Sequence, residues 1–185
     1  MASVRRRVPR EAVQPVTGDG SGLMPVYRSD QRILGYLGRS LSLELSEVQM
    51  YSTQARLVAT WGLDEPARRL RREAHEEMQH VERIIARMLA LGAAPGASQL
   101  RPVRLDNDLY SLLQSGFAFE KAAVQLYADA AGYAARVTSH DDRVFFQALF
   151  AEEQEHAQEL LRWIQELERS PGEPLAQQSS RSRRM

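Results

Sequence analysis

The chain has 185 residues, 43% hydrophobic and 26% charged, with 24 basic and 24 acidic side chains. That is enough chain for one domain with a real core, and the composition argues against wholesale disorder. There is no cysteine, which excludes disulfides, thiolate metal sites, iron–sulfur clusters and cysteine nucleophiles.

No apolar run approaches the roughly 20 residues of a membrane span. No apolar stretch follows the N-terminal arginines, as a secretory signal would require. A cytoplasmic protein with no membrane association is expected. The balanced total hides an uneven distribution. Arg5, Arg6, Arg7, Arg10 and Arg28 outweigh Glu11 and Asp19, and Arg181, Arg183 and Arg184 outweigh Glu173, so an acidic body lies between two basic ends.

Residues 1–28 lack periodicity and include the linker-like run Thr17-Gly18-Asp19-Gly20-Ser21-Gly22, which predicts a flexible basic tail. Ser29-Asp30 offers an N-cap for a first helix reaching about Trp61. Its stripe is Leu34, Leu37, Leu41, Leu45, Val48, Tyr51, Ala55 and Val58, interrupted by Glu44, which is placed to point inward. Gly62 stops this helix, and Asp64-Glu65-Pro66 opens a second. The second stripe runs Leu70, Ala74, Met78, Val81, Ile84, Ile85, Met88 and Leu91, with Glu77 and His80 on its inward half, and ends at Gly92.

Residues 92–106 show no period and form a long connection. A third helix is expected from about Asp106 to Arg136, with Leu109, Leu113, Phe117, Ala123, Val124 and Tyr127 inward and Glu120 breaking the stripe. Thr138-Ser139-His140 opens a fourth, to about Glu168, with Phe146, Leu149, Glu153, His156, Leu160 and Leu167 inward. Residues 170–185 read as a second flexible tail. Four long helices, two short links and one long link predict an all-α four-helix bundle over residues 29–169 with a long central crossover.

The two halves repeat. An offset of 76 maps Glu44 onto Glu120, Glu77 onto Glu153, His80 onto His156, and Val48-Gln49-Met50-Tyr51 onto Val124-Gln125-Leu126-Tyr127. Each half supplies one lone glutamate and one Glu-x-x-His step. One such step is a weak signal, because surface helices carry Glu and His at this spacing by chance. Six matching positions in equivalent halves are a strong one. Residues three apart share a helix face, so each step can bind one ion. Four carboxylates and two imidazoles suit a pair of iron or manganese ions. Buried carboxylates cost several kcal/mol each unless paired or metal-bound, so four on apolar faces call for cations. Spacing alone suggests that Glu44 and Glu120 bridge while each Glu-x-x-His step caps one metal.

The lone Glu44 with Tyr51, the Trp61-Gly62-Leu63 turn, Glu77-Met78-Gln79-His80, Glu120 and Glu153-x-x-His156 together resemble the ferritin superfamily, and within it bacterioferritin, over residues 30–168. The resemblance implies a ferritin-like bundle with two iron ions per subunit, oxidised from Fe(II) to Fe(III) by dioxygen or peroxide and stored as mineral. It implies Glu77 and Glu153 as bridges and Glu44 and Glu120 as terminal ligands, reversing the assignment from spacing. It implies haem b between two subunits, ligated by Met78 of each; an ordinary gap-filling role is the plain alternative for this methionine. It also implies a homo-oligomer, from a dimer up to a 24-subunit shell.

The chain departs from the family's pattern in three places. Arg72 and Glu76 stand where a histidine and an acidic residue often serve iron passage. Ser170-Pro171-Gly172-Glu173-Pro174 stands in place of the fifth helix that lines the shell's four-fold pores, and the basic 28-residue extension is atypical. His75 and His140 read as surface residues. Tyr51 and Tyr127 either bond the ligand carboxylates or simply pack. Two other functions use the same features. A di-iron oxygenase acting on an organic substrate shares the ligand set, and a DNA-protecting or cargo role would use the arginine-rich tails. Nucleic-acid binding is not expected, since charge runs are usually solvated.

Overall fold

The computed structural model describes residues 30–96 and 99–169. The two tails expected at 1–28 and 170–185, including Ser170 to Pro174, lie outside the described residues. Four helices make up the regular structure described: α1 (Gln31–Thr60), α2 (Asp64–Ala90), α3 (Leu109–Arg136) and α4 (His140–Arg169).

Local chemistry sets their ends. The Asp30 carboxylate accepts from the backbone N–H of Arg32 at 2.8 Å and of Ile33, meeting donors that the first turn leaves free. The α1–α2 turn needs a left-handed backbone at Gly62 (φ 76°), as does the end of α2 at Gly92 (φ 72°). Asp64 and Glu65 place negative charge on the first turn of α2. The third helix starts at Leu109 rather than near Asp106. Asp108 is its cap, accepting from Ser111 N–H at 2.8 Å, while Asp106 accepts from the Ser115 hydroxyl instead.

Packing fixes the helix directions. One apolar cluster joins Ile33–Leu43 of α1, Val81–Met88 of α2, Ala123–Ala134 of α3, and Phe146 and Leu149 of α4. A second joins Met50–Val58 of α1, Ala67–Ala74 of α2, Leu109–Leu113 of α3 and Leu160–Ile164 of α4. The C-terminal halves of α2 and α3 therefore lie at the same end, so these helices run parallel. The segment between them must travel the length of the bundle, which is why it is long. α1 packs on α2 and α3 on α4, and the pairs also meet along α1 and α3.

The expected stripes need adjustment at their edges. Leu34, Leu45, Val48, Phe117, Val124 and Leu167 are only partly buried, while Tyr36, Leu43, Met50, Leu112 and Trp163 are core. Met78 leaves the stripe altogether and is 37% exposed. Being four after Ala74 and three before Val81 puts it near the apolar face, but on a flank that no neighbouring helix among the described residues covers.

Candidate metal centre

Between the two apolar clusters lies a polar middle layer. Glu44, Glu77, His80, Glu120 and Glu153 are all buried there and His156 is mostly so, each near the midpoint of its helix. All six residues singled out by the repeat come together. They form two groups of ligand atoms, each within 4.8 Å: Glu44, Glu77, His80 and Glu153, and then Glu77, Glu120, Glu153 and His156. Glu77 and Glu153 are common to both groups, while Glu44 and Glu120 belong to one each. α2 and α4 face each other across the centre through His80–Glu153 and His156–Glu77, which spacing along the chain cannot show.

The histidine geometry is directional. His80 Nδ1 lies 2.7 Å from Glu153, 3.0 Å from Glu77 and 3.3 Å from Glu44. His156 Nδ1 lies 3.0 Å from Glu77 and 3.9 Å from both Glu120 and Glu153. The two rings stack with centroids 5.5 Å apart. The outer nitrogens face carboxylates: His80 Nε2 meets Glu152 at 3.0 Å and His156 Nε2 meets Glu76 at 3.4 Å. Arg83 holds Glu152 in turn at 2.5 Å. An outer carboxylate of this kind fixes the ring and leaves Nδ1 free to bind metal. Glu76 thus sits beside His156, whereas Arg72 and His75 are exposed on the same helix and His140 is exposed at the start of α4.

The tyrosines cross between the halves. Tyr51 of α1 donates to Glu120 of α3, and Tyr127 of α3 donates to Glu44 of α1. Both rings are fully buried, so they pack and orient the Glu120 and Glu44 carboxylates at once. Tyr51 has room because Gly116 lies beneath it; a Cβ there would stand 3.1 Å from its hydroxyl.

Burial and mutual repulsion set the electrostatics of the cluster. Burial pushes Glu44 and Glu120 well above the ordinary carboxylate range, and the neighbouring acids add to it. Burial would raise Glu77 too, but His156 and His80 outweigh it and bring it down to about 2. Burial opposes charge on His156, yet Glu77 and Glu153 carry it up to about 9; His80 is raised further by Glu153, Glu44 and Glu77. Even so, both oxygens of Glu77, both of Glu153, one of Glu120 and Nδ1 of His156 are buried without a hydrogen-bond partner. They lie at ion-pair distance but not in hydrogen-bond geometry. Orphaned oxygens and an inward imidazole nitrogen are the donor set that two hard-to-intermediate cations would satisfy.

Sequence reasoning missed three acids, Glu47, Glu73 and Glu152, and did not place Glu76 beside His156. The repeat pairs Glu76 with Glu152, which could have revealed the outer partners of the histidines. Glu73 is buried, and burial pushes it up to about 7. Glu47, fully buried one turn after Glu44, was hidden because the stripe was drawn through Val48.

The fold and its middle layer are those of a ferritin-like four-helix protein. The Ferritin family, described as a ferritin-like domain, matches residues 34–170. The bacterioferritin of Rhodobacter capsulatus is 33% identical over 129 residues, covering 70% of this chain and 80% of that protein. The bacterioferritin of Brucella melitensis is 25% identical over the same shares. The solved structure of the Rhodobacter protein, with a metal-free dinuclear site and haem iron in a crystallographic special position, superposes with a TM-score of 0.74 at 32% identity, covering 77% of this chain and 89% of that one. The chain belongs to the bacterioferritin family.

Proposed function

We propose that this chain is a ferroxidase that also stores and detoxifies iron. It binds two iron ions per subunit through Glu44, Glu77, His80, Glu120, Glu153 and His156. The observation that carries this reading is the pair of overlapping ligand groups sharing Glu77 and Glu153. Bound iron supplies the electrons that dioxygen or peroxide takes up, one from each Fe(II).

The chain's own residues prepare that exchange. Glu77 and Glu153 hold the two positions together. Glu44 with His80, and Glu120 with His156, complete one position each. Glu152 accepts from His80 Nε2, and Glu76 stands at ion-pair distance from His156 Nε2, so both rings present Nδ1 inward. Tyr127 and Tyr51 hold the terminal carboxylates in place. Protons carried by the histidines at neutral pH must leave as metal binds.

Stopped-flow absorbance after adding Fe(II) in air tests this. Glu77→Ala removes a bridge common to both positions, so the fast oxidation phase is expected to vanish; an unchanged rate overturns the reading. An organic-substrate oxygenase would need a cavity reaching the centre. The 540 Å³ cavity near Arg39 and Arg101 and the 370 Å³ cavity near Met50 and Phe119 are lined by none of the six ligands. A DNA-protecting or cargo role would rest on arginine-rich segments outside the described residues.

In this reading the protein works as a cytoplasmic homo-oligomer; no helix among the described residues is long and apolar enough to cross a membrane. Haem b belongs between two subunits. Met78 supports it, a thioether exposed on the outer flank of α2, one residue from Glu77. A special position lies on a symmetry element, where the same methionine from two chains could meet a shared haem. Met78→Ala is expected to abolish the Soret band of haem-reconstituted protein while leaving two irons per chain bound. Retention of the band shows that Met78 is not the ligand.

A further inference from the structure

Glu47 is a buried charge that the six-ligand centre does not use. It is 0% exposed, and neither carboxylate oxygen has a hydrogen-bond partner among the described residues. It lies three residues after Glu44, on the same face of α1. Besides burial, the charges of Glu44, Glu120, Glu77 and Glu153 all act on it, and its own charge acts on Tyr51 and Tyr127. It therefore faces the same chamber as the ligands, from α1, whereas the histidines arrive from α2 and α4. A buried carboxylate with no partner costs several kcal/mol, and no described protein group offsets it.

The internal repeat supplies a second, independent observation. The 76-residue offset pairs each of the six ligands with one of the same kind, but pairs Glu47 with Ala123, also 0% exposed. A symmetric six-ligand site has no use for a carboxylate in one half and a methyl in the other. Charge counting gives it one. Four carboxylates and two neutral imidazoles balance two divalent ions but leave two trivalent ions with two uncompensated positive charges. A fifth carboxylate removes one of them.

We propose that Glu47 is a seventh protein ligand of the dinuclear centre, turning onto one ion from the α1 side and making the two metal positions inequivalent. This rests on the reading of the centre as a metal site. Glu47 belongs to neither 4.8 Å group, so ligation requires its side chain to rotate between staggered conformers. The consequence is selective retention: the position that Glu47 reaches holds oxidised iron longer than the other.

The full-length chain is loaded anaerobically with two equivalents of Fe(II), oxidised in air, and challenged with desferrioxamine. Wild type, Glu47→Ala, Glu47→Gln and Glu77→Ala are compared. Both Glu47 variants are expected to take up two irons per chain, then to release one ferric ion at least tenfold faster than wild type. Crystals of the iron-loaded wild type are expected to show a Glu47 oxygen bonded to one iron. Glu47→Ala reproduces the residue found at 123 and Glu47→Gln keeps the side-chain volume. Apo melting temperatures at or above wild type are expected from both, since each removes an unpaired buried acid. Unchanged release in both variants, or Glu47 turned away from iron in the loaded crystals, overturns the proposal while the metal centre stands. If wild type binds no more iron than Glu77→Ala, the metal-centre reading fails, and the seventh ligand with it.

Discussion

At the scale of single residues, the centre sets opposite pH behaviour for the apo and loaded protein. Glu73 and His156 have folded-state pKa values raised from 4.5 to about 7 and from 6.5 to about 9, and Glu44, Glu47 and Glu120 are also raised. A group raised on folding stabilises fully below its unfolded value and loses that contribution as pH climbs through the folded one. Glu77, lowered to about 2, contributes above 4.5 and loses its share only toward that low value. Apo-protein melting temperature is therefore expected to fall steadily from about pH 5 to pH 9. Zinc-loaded protein should trend the other way, because metal binding requires deprotonated ligands and releases protons. Scanning calorimetry at several pH values, with and without zinc, checks both slopes; parallel slopes contradict the assignment. The convergence of the six residues was legible in the sequence because each has a counterpart of the same type at one offset. Glu47 was not, because it appears once and its neighbour Val48 fits an apolar stripe equally well. The Tyr51–Glu120 and Tyr127–Glu44 bonds join residues 69 and 83 positions apart, which no local pattern encodes.

At the scale of helices, glycines separate positions that need space from positions that do not. Gly116 in α3 is buried against Tyr51 and Leu160, with 3.1 Å and 3.4 Å available to a Cβ. Gly116→Ala is expected to displace the Tyr51 ring, costing about 1–3 kcal/mol and loosening the hold on Glu120. Gly38 in α1 has nothing within 4 Å of an added Cβ. Gly38→Ala should stabilise by about 0.5–1 kcal/mol through helix propensity alone. Urea unfolding of both variants distinguishes the effects by sign. Helix existence and order followed from periodicity, and three of the four helices start where the sequence signals place them. The start of α3 was misplaced because 106 and 108 are both aspartates and only geometry shows which one meets the free N–H. Met78 was misread as core because a helix face has flanks, and periodicity does not say how far a neighbouring helix covers them.

At the scale of the molecule, two apolar cores enclose a buried, acidic middle. The cores involve all four helices at each end, so the bundle can form around the middle layer before metal arrives. The layer itself is expected to be the least settled part of the apo protein, holding most of its unpaired buried oxygens in one place. The sequence marked a long crossover; the composition of the two clusters shows that α2 and α3 run parallel on either side of it.

That crossover has a consequence for how the chain can be divided. Each helical hairpin, α1–α2 and α3–α4, brings one lone glutamate and one Glu-x-x-His pair, and the segment from 91 to 108 brings none of the six. It is a tether between two near-equal halves. Residues 1–96 and 97–185 expressed as separate chains are expected to co-purify as one bundle and bind two irons. Failure to associate shows that the tether also organises the fold. A lone hairpin paired with its own copy would already assemble six ligands around a true two-fold axis. Joining the copies into one gene leaves that axis only approximate, and frees each half to change without the other. Glutamate at 47 against alanine at 123 is a change that two identical chains could not make.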